Sequence, residues 1–229
     1  MCVLLVPLRA DAQSFGSLFT SLPADFARIF TPTNGIVAGI GGATSLAAHQ
    51  HDQDIQRHLH DPSGARHDLF HPGAAIGDGT TQAALALGAY AIGRATHHPR
   101  FAGLGADLVD AQIVNGVLTQ GLKVSVDRAR PTGSKHSFPS GHTSATFATA
   151  QVIDEHYGWR IAAPFYALGG YVSVSRLVDN EHWASDAIFG AALGIVSGRA
   201  ASLRHGPRRI SVSPMALPHG LGFVGHATF

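Results

Sequence analysis

The stretch FPSGHTSATFATA, residues 138–150, passes from a turn directly into a helix-forming run. Pro139, Ser140 and Gly141 make the turn, His142 follows at once, and small residues continue behind it. A helix N-terminus with free N–H groups attracts anions, and a histidine at that point can pass a proton to or from whatever the anion belongs to. The simpler alternative is local: Ser140 caps the helix and the rest is packing. Which reading applies depends on what else in the chain can hold an anion.

Working outward, the sequence predicts an all-α domain. Residues 34–48 and 78–95 read as buried helices. In a third, at about 105–125, Leu108, Val109, Ile113, Val117, Leu118 and Leu122 recur at helical spacing. The helix opened by Ser140 ends near Gly158, and further helices cover about 160–176 and 181–203. Residues 13–33 are mixed and carry prolines at 23 and 32. Two β-prone runs flank Pro218-His219-Gly220 and predict a small C-terminal β-hairpin. The expected organisation is a signal-peptide remnant at 1–12, a helical domain at 13–205 and a tail at 206–229.

Composition narrows the function. The chain has 229 residues, 14% charged and 45% hydrophobic, with a formal net charge of +1. Sparse charge implies extensive burial, and a near-neutral balance argues against nucleic acid as a partner. Cys2 is the only cysteine, so no disulfide forms within the chain. The N-terminal MCVLLVPLRADAQS has a short apolar run followed by Ala10-Asp11-Ala12, an Ala-x-Ala cleavage pattern, and reads as the tail of an export signal. The most apolar stretches, 35–48, 81–93, 161–175 and 187–198, fall short of the ~20 residues of a spanning helix and read as core helices. An integral membrane protein is the alternative. The histidine-rich segment 49–75 lacks zinc-type spacing and reads as a solvated connection with one short surface helix, DQDIQRHL, so no metal is expected there.

Two further segments carry chemistry. KVSVDRARP, 123–131, brings Lys123 and Arg130 to the end of the third helix, with Pro131 stopping it. SRLVDNEHWASD, 175–186, follows Arg176 with His182 and, four residues on, Asp186, a spacing that puts the last two on one face of a helix. An aspartate bonded to one ring nitrogen fixes the tautomer and leaves the other lone pair free to attack. Lys123, Arg130 and Arg176 supply cations in a chain with few, and Arg forks match phosphate oxygens. Ser140 and the Gly141 N–H add neutral donors, and the missing side chain at Gly141 permits close approach of backbone to ligand. Together these residues suit phosphoryl transfer with His182 as nucleophile and His142 as proton donor, the cations replacing a metal.

Lys-x6-Arg-Pro at 123–131, Pro-Ser-Gly-His at 139–142 and Ser-Arg-x5-His-x3-Asp at 175–186 resemble the three-part signature of the type 2 phosphatidic acid phosphatase and vanadium haloperoxidase superfamily. The resemblance covers about 105–200. It implies a helical bundle around a phosphate pocket and the roles given above for Lys123, Arg130, Ser140, Gly141, His142, Arg176, His182 and Asp186. The spacer between the first two segments is short, as in the lipid-phosphatase members. The expected activity is therefore a metal-independent phosphatase acting on a lipid phosphate without a cofactor, exported or at the periplasmic face of a membrane, with peripheral membrane contact. The alternatives are a broad-specificity acid phosphatase, a vanadium-dependent haloperoxidase, and a non-catalytic phosphate binder.

Overall fold

A computed structural model of the chain describes residues 15–202, 210–217 and 220–227. The expected signal remnant lies outside the described residues. Ten helices follow one another: α1 (Phe15–Arg28), α2 (Pro32–His49), α3 (Asp52–Leu59), α4 (Ala65–Phe70), α5 (Pro72–Gly77), α6 (Gly79–Ala95), α7 (Pro99–Val126), α8 (Gly141–Tyr157), α9 (Trp159–Val178) and α10 (Ala184–Ser202). Two strands, β1 (Ile210–Leu217) and β2 (Gly220–Ala227), pair antiparallel with Ile210 opposite Ala227. This is the all-α architecture with a terminal hairpin that the sequence predicts.

Local chemistry sets the boundaries. Thr31 caps α2 by accepting the Asn34 N–H, and Pro32 takes the first helical position, where its missing N–H is not needed. Asp78 caps α6 by accepting the N–H groups of Thr80 and Thr81. α7 ends at Asp127, which turns left-handed at φ 44°. Gly158, at φ 86°, is the single residue between α8 and α9, a conformation glycine adopts without strain. α1, within the residues read as mixed, packs on α7 and α10.

α10 packs on α2, α7 and α8, while α8 also packs on α7 and α9, and α6 on α7. The core is built from small side chains: Ala111, Ala148, Val152, Ala162 and Ala201 are fully or almost fully buried, with Leu104 and Leu108 between them. Such a core works because backbones approach closely. A Cβ added at Gly190 would lie 2.7 Å from the Ser140 carbonyl oxygen, and one at Gly198 would lie 2.7 Å from that of Ala148. Gly194, midway along this i, i+4 stripe, faces the Ser144 carbonyl and Phe147. The stripe lets α10 lie against the α8 backbone, which brings their N-termini side by side.

The histidine-rich segment differs from its reading as a solvated connection. It forms α3 to α5, and α3 is the predicted DQDIQRHL. Asp52 and Gln56 of α3 are nonetheless buried, and the Gln56 amide donates to the Leu177 carbonyl at 2.8 Å. Among the described residues no group of three or more His, Cys, Asp or Glu is placed to hold a metal ion.

Gly194→Ala is expected to destabilise the fold by about 1–3 kcal/mol through overpacking against α8. Gly170→Ala in α9, where an added Cβ meets nothing within 4 Å, should be neutral or stabilising by up to about 1 kcal/mol. Thermal denaturation midpoints of the two variants check the contrast.

Candidate active site

The C-terminal ends of α7 and α9 and the N-terminal ends of α6, α8 and α10 meet at one end of the bundle. A cavity of about 600 Å³ opens there between α6, α7 and α8. Lys123, Arg130, Gly141, His142 and His182 line its charged end, together with Asp78 and Thr119. Ala83, Leu87, Val109, Ile113 and Ala145 form an apolar wall that runs down between the helices.

Each predicted residue has a definite place. Lys123, in the last turn of α7, is buried and donates to the His136 carbonyl at 2.7 Å. Arg130 lies beyond the helix, not at its end: α7 stops at Val126, and Asp127 turns the chain so that Arg130 sits in the loop leading to α8. Arg130 pairs with Glu181 and donates through Nε to the Lys135 carbonyl at 3.3 Å. Arg176, near the end of α9, pairs with Asp179, and its buried Nε has no hydrogen-bond partner among the described residues.

Ser140 precedes α8 but does not cap it through its side chain. Its hydroxyl is within 3.0 Å of the Thr143 hydroxyl, and the residue is fully buried behind the cavity. A Cβ at Gly141 would stand 3.8 Å from Lys123 Cε and 3.6 Å from Thr119 Cγ2, ordinary contacts with the protein. It would therefore occupy cavity space without straining the fold.

His182 and Asp186 meet for a different reason from the one read in the sequence. α10 begins at Ala184, so His182 is in the preceding turn and the two do not share a helical face. Asp186, in the first helical turn, accepts the Trp183 N–H at 3.0 Å, which folds the turn back over the helix start. His182 Nδ1 comes 3.7 Å from Asp186 Oδ2, within ion-pair range but longer than a hydrogen bond. The same carboxylate accepts from the Ser137 hydroxyl and from Arg128.

The electrostatics follow from burial and crowded cations. Burial, then Arg130, pushes the Lys123 ammonium down to about 8, against the opposing pull of Asp186. Burial, then the charges of Arg176 and His182, pushes His142 down to about 4, with Asp78 acting the other way. Burial also lowers His182 below the ordinary histidine range, despite Asp186, which favours the neutral ring. Burial raises Asp186, but His182, Ser137, the Trp183 N–H and Arg128 outweigh it and hold the group below the usual carboxylate range.

Residues 105–209 match the family model of the PAP2 superfamily. The match covers a little under half of the chain. The lipid A 1-phosphatase of Porphyromonas gingivalis is 41% identical over 101 residues, which cover 42% of this chain and 22% of that protein. The chain thus spans about a fifth of the length of that curated relative. Two crystal structures share the fold. Aquifex aeolicus LpxE matches with a TM-score of 0.56 at 21% identity, covering 67% of this chain and 94% of that one. The transmembrane PAP2 type phosphatidylglycerolphosphate phosphatase of Bacillus subtilis matches with a TM-score of 0.52 at 20% identity, covering 81% and 92%.

Sequence reasoning missed several contributors: Asp78, Glu181, Asp179, Ser137, Arg128 and Asp52. Asp78 carried a visible signal, the Asp-Gly-Thr-Thr of a helix cap, but its position beside His142 depends on how α5 and α6 fold back.

Because burial and Arg130 push the Lys123 ammonium down to about 8, inorganic phosphate should bind progressively more weakly as pH rises past 8. Lys123→Arg, whose charge persists, should push that weakening to higher pH. Gly141→Ala should fold normally yet weaken phosphate binding. Calorimetric titration with inorganic phosphate between pH 6 and 10 tests both.

Proposed function

We propose that the chain is a metal-independent phosphatase that removes a terminal phosphate from a lipid through a phosphohistidine. The observation that carries this reading is the two-ended cavity: Lys123, Arg130, His142 and His182 at one end, an apolar wall of α6 and α7 residues at the other. A phosphorylated amphiphile has the same polarity profile. The name of the P. gingivalis relative, lipid A 1-phosphatase, points in the same direction.

In the first step His182 Nε2 attacks phosphorus, the phosphorus–oxygen ester bond breaks, and the departing alkoxide takes a proton from His142. In the second, water attacks the phosphohistidine, gives a proton to His142, and releases phosphate with His182 restored. Lys123, Arg130, Arg176 and the Gly141 N–H balance the charge on the equatorial oxygens, and Asp186 stabilises the imidazolium as it forms. Burial and the neighbouring cations push His142 down to about 4, which keeps it neutral at pH 7. The negative charge of a bound phosphate favours its protonation, so the acid is loaded as substrate arrives.

The enzyme is read as membrane-associated, at the periplasmic side. Phe30, Ile36, Ile40 and Leu46 on or beside α2, Leu85 and Ile92 on α6, and Trp159 and Ile161 on α9 are exposed apolar side chains facing outward from the bundle. Such surface suits contact with lipid. Among the described residues one helix, Trp159–Val178, is long and apolar enough to cross a membrane.

Activity should survive excess EDTA, and vanadate should inhibit competitively as a mimic of the five-coordinate transition state. A chelator-sensitive enzyme restored by a divalent ion rules the mechanism out. His182→Ala should abolish turnover of every substrate. His142→Ala should slow an alkyl phosphate by about 10²–10⁴-fold but p-nitrophenyl phosphate much less, because nitrophenolate leaves unprotonated. A mixed-micelle assay should favour lipid phosphates over soluble monoesters; the reverse preference points to a soluble-substrate acid phosphatase.

A further inference from the structure

Arg128 was not among the expected site residues, yet its guanidinium is heavily bonded beside the His182–Asp186 pair. Its Nη1 donates to Asp186 Oδ1 at 2.5 Å and to the Ser185 hydroxyl at 2.7 Å. Its Nη2 donates to Asp52 Oδ2 at 2.7 Å. The guanidinium lies 5.6 Å from the centre of the Trp183 ring, whose Nε1 donates to the Ala129 carbonyl at 2.9 Å. Asp52, at the start of α3, is only 3% exposed. It accepts the Ser185 N–H at 2.9 Å and the Ser185 hydroxyl at 2.6 Å, and His49 Nδ1 lies 3.0 Å away.

One guanidinium therefore bridges two buried carboxylates by separate nitrogens. A buried carboxylate is tolerated only when paired. If Arg128 faced Asp186 alone, its charge would be spent on that carboxylate and would oppose the stabilisation of a cationic His182. Asp52 supplies the balancing negative charge. It also grips both the backbone and the hydroxyl of Ser185, the residue immediately before Asp186, so it restrains where Asp186 points.

We propose that Arg128 and Asp52 are positioning residues, which hold the Asp186 carboxylate toward His182 and keep its negative charge available to that ring. The proposal rests on the phosphohistidine reading above. It gives the histidine-rich segment a part in the site, through Asp52 and His49, that needs no metal.

Opposite effects on the nucleophile follow from opposite charges. His182 must be neutral to attack, so kcat/KM falls on the acid side as the ring takes a proton. The charged or titratable groups facing it are Asp186 from α10, Lys123 from α7, Arg130 from the loop before α8, and His142 from α8. None of these is altered by substitutions at 52 or 128. Asp52→Asn keeps an acceptor for the Ser185 N–H but removes a negative charge. The imidazolium is then less stabilised, and the acid limb should move to lower pH. Arg128→Gln removes a positive charge and should move the limb to higher pH.

The test is the pH profile of kcat/KM for p-nitrophenyl phosphate, measured on the full chain in neutral detergent. Substrate ionisation is common to all variants and cancels. Limbs displaced in opposite directions, with kcat reduced about tenfold or more and KM nearly unchanged, are the expected result. Limbs that stay put, or move together, overturn the proposal and leave Arg128 and Asp52 as a brace for α3. Thermal melts report whether each variant folds. If Arg128→Gln does not, Arg128→Lys decides: it keeps the charge but cannot bridge both carboxylates, so the limb should stay while kcat falls about tenfold. An unchanged kcat would refute the idea. Asp54→Asn, an exposed acid on the same helix paired with Arg57, should match the parent throughout. Failure of the parent enzyme itself to hydrolyse any phosphate ester would instead refute the phosphatase reading.

Discussion

The Asp186 carboxylate is the point on which the site depends. It has no exposure to solvent, and a buried carboxylate without partners would cost more than the fold could offset. Its partners therefore dictate the placement of whole segments. Ser137 and Arg128 come from the loop after α7, and the Trp183 N–H from the turn before α10. Its backbone carbonyl accepts the Ser140 N–H at 3.1 Å, fastening the start of α8 beside the start of α10. The glycine stripe of α10 is the packing counterpart: only with Gly190 against the Ser140 carbonyl can the two helix ends come that close. Packing and charge satisfaction thus specify the same geometry, which is the consistency expected of a sequence that encodes one structure.

The cavity is organised by the opposite problem, an excess of positive charge. Lys123, Arg130 and Arg176 converge near two histidines, and burial lowers both Lys123 and His142. Glu181 and Asp179 each take up one arginine, which reduces the repulsion without occupying the cavity. What remains is a site short of negative charge. On the proposed reading an incoming phosphate supplies it, and its binding favours the protonated forms of the same Lys123 and His142 that burial disfavours. Affinity and catalytic readiness are then coupled through the ligand's charge.

The sequence disclosed the chemistry better than the geometry. The three motifs and helices α6 to α10 were legible because cations and histidines at fixed spacing, helix stops and apolar periodicity are local signals. Arg130 was misplaced because Asp127 turns left-handed, a conformation that an aspartate permits but does not announce. The His182–Asp186 spacing suggested a shared helix face, whereas Asp186 itself folds the turn that presents His182. Ser140 looked like a side-chain cap, yet its hydroxyl makes no cap bond and lies within 3.0 Å of the Thr143 hydroxyl. Asp52 was illegible for a deeper reason. In a polar, histidine-rich segment it resembles any solvated acid, and its burial is decided by Ser185 and Arg128, both more than seventy residues away.

The same reasoning locates substrate choice away from the motifs. On the phosphatase reading proposed above, the charged end of the cavity selects only for a terminal phosphate, because Lys, Arg and a helix N-terminus bind any terminal phosphate by the same contacts. Discrimination must come from the wall, where α7 presents Gln112, Asn115, Thr119 and Gln120 among Val109, Ile113 and Gly116. These polar residues recur at helical spacing and descend from Lys123, but Asn115 and Thr119 are buried. Gln112 is already engaged, donating to the Ala145 carbonyl and the Thr149 hydroxyl at 3.0 Å. Asn115 is buried, with a carboxamide oxygen that has no partner among the described residues. With Gln112 engaged and Asn115 buried, the surface left for the body of a ligand is chiefly the apolar one of Ala83, Leu87, Val109 and Ile113.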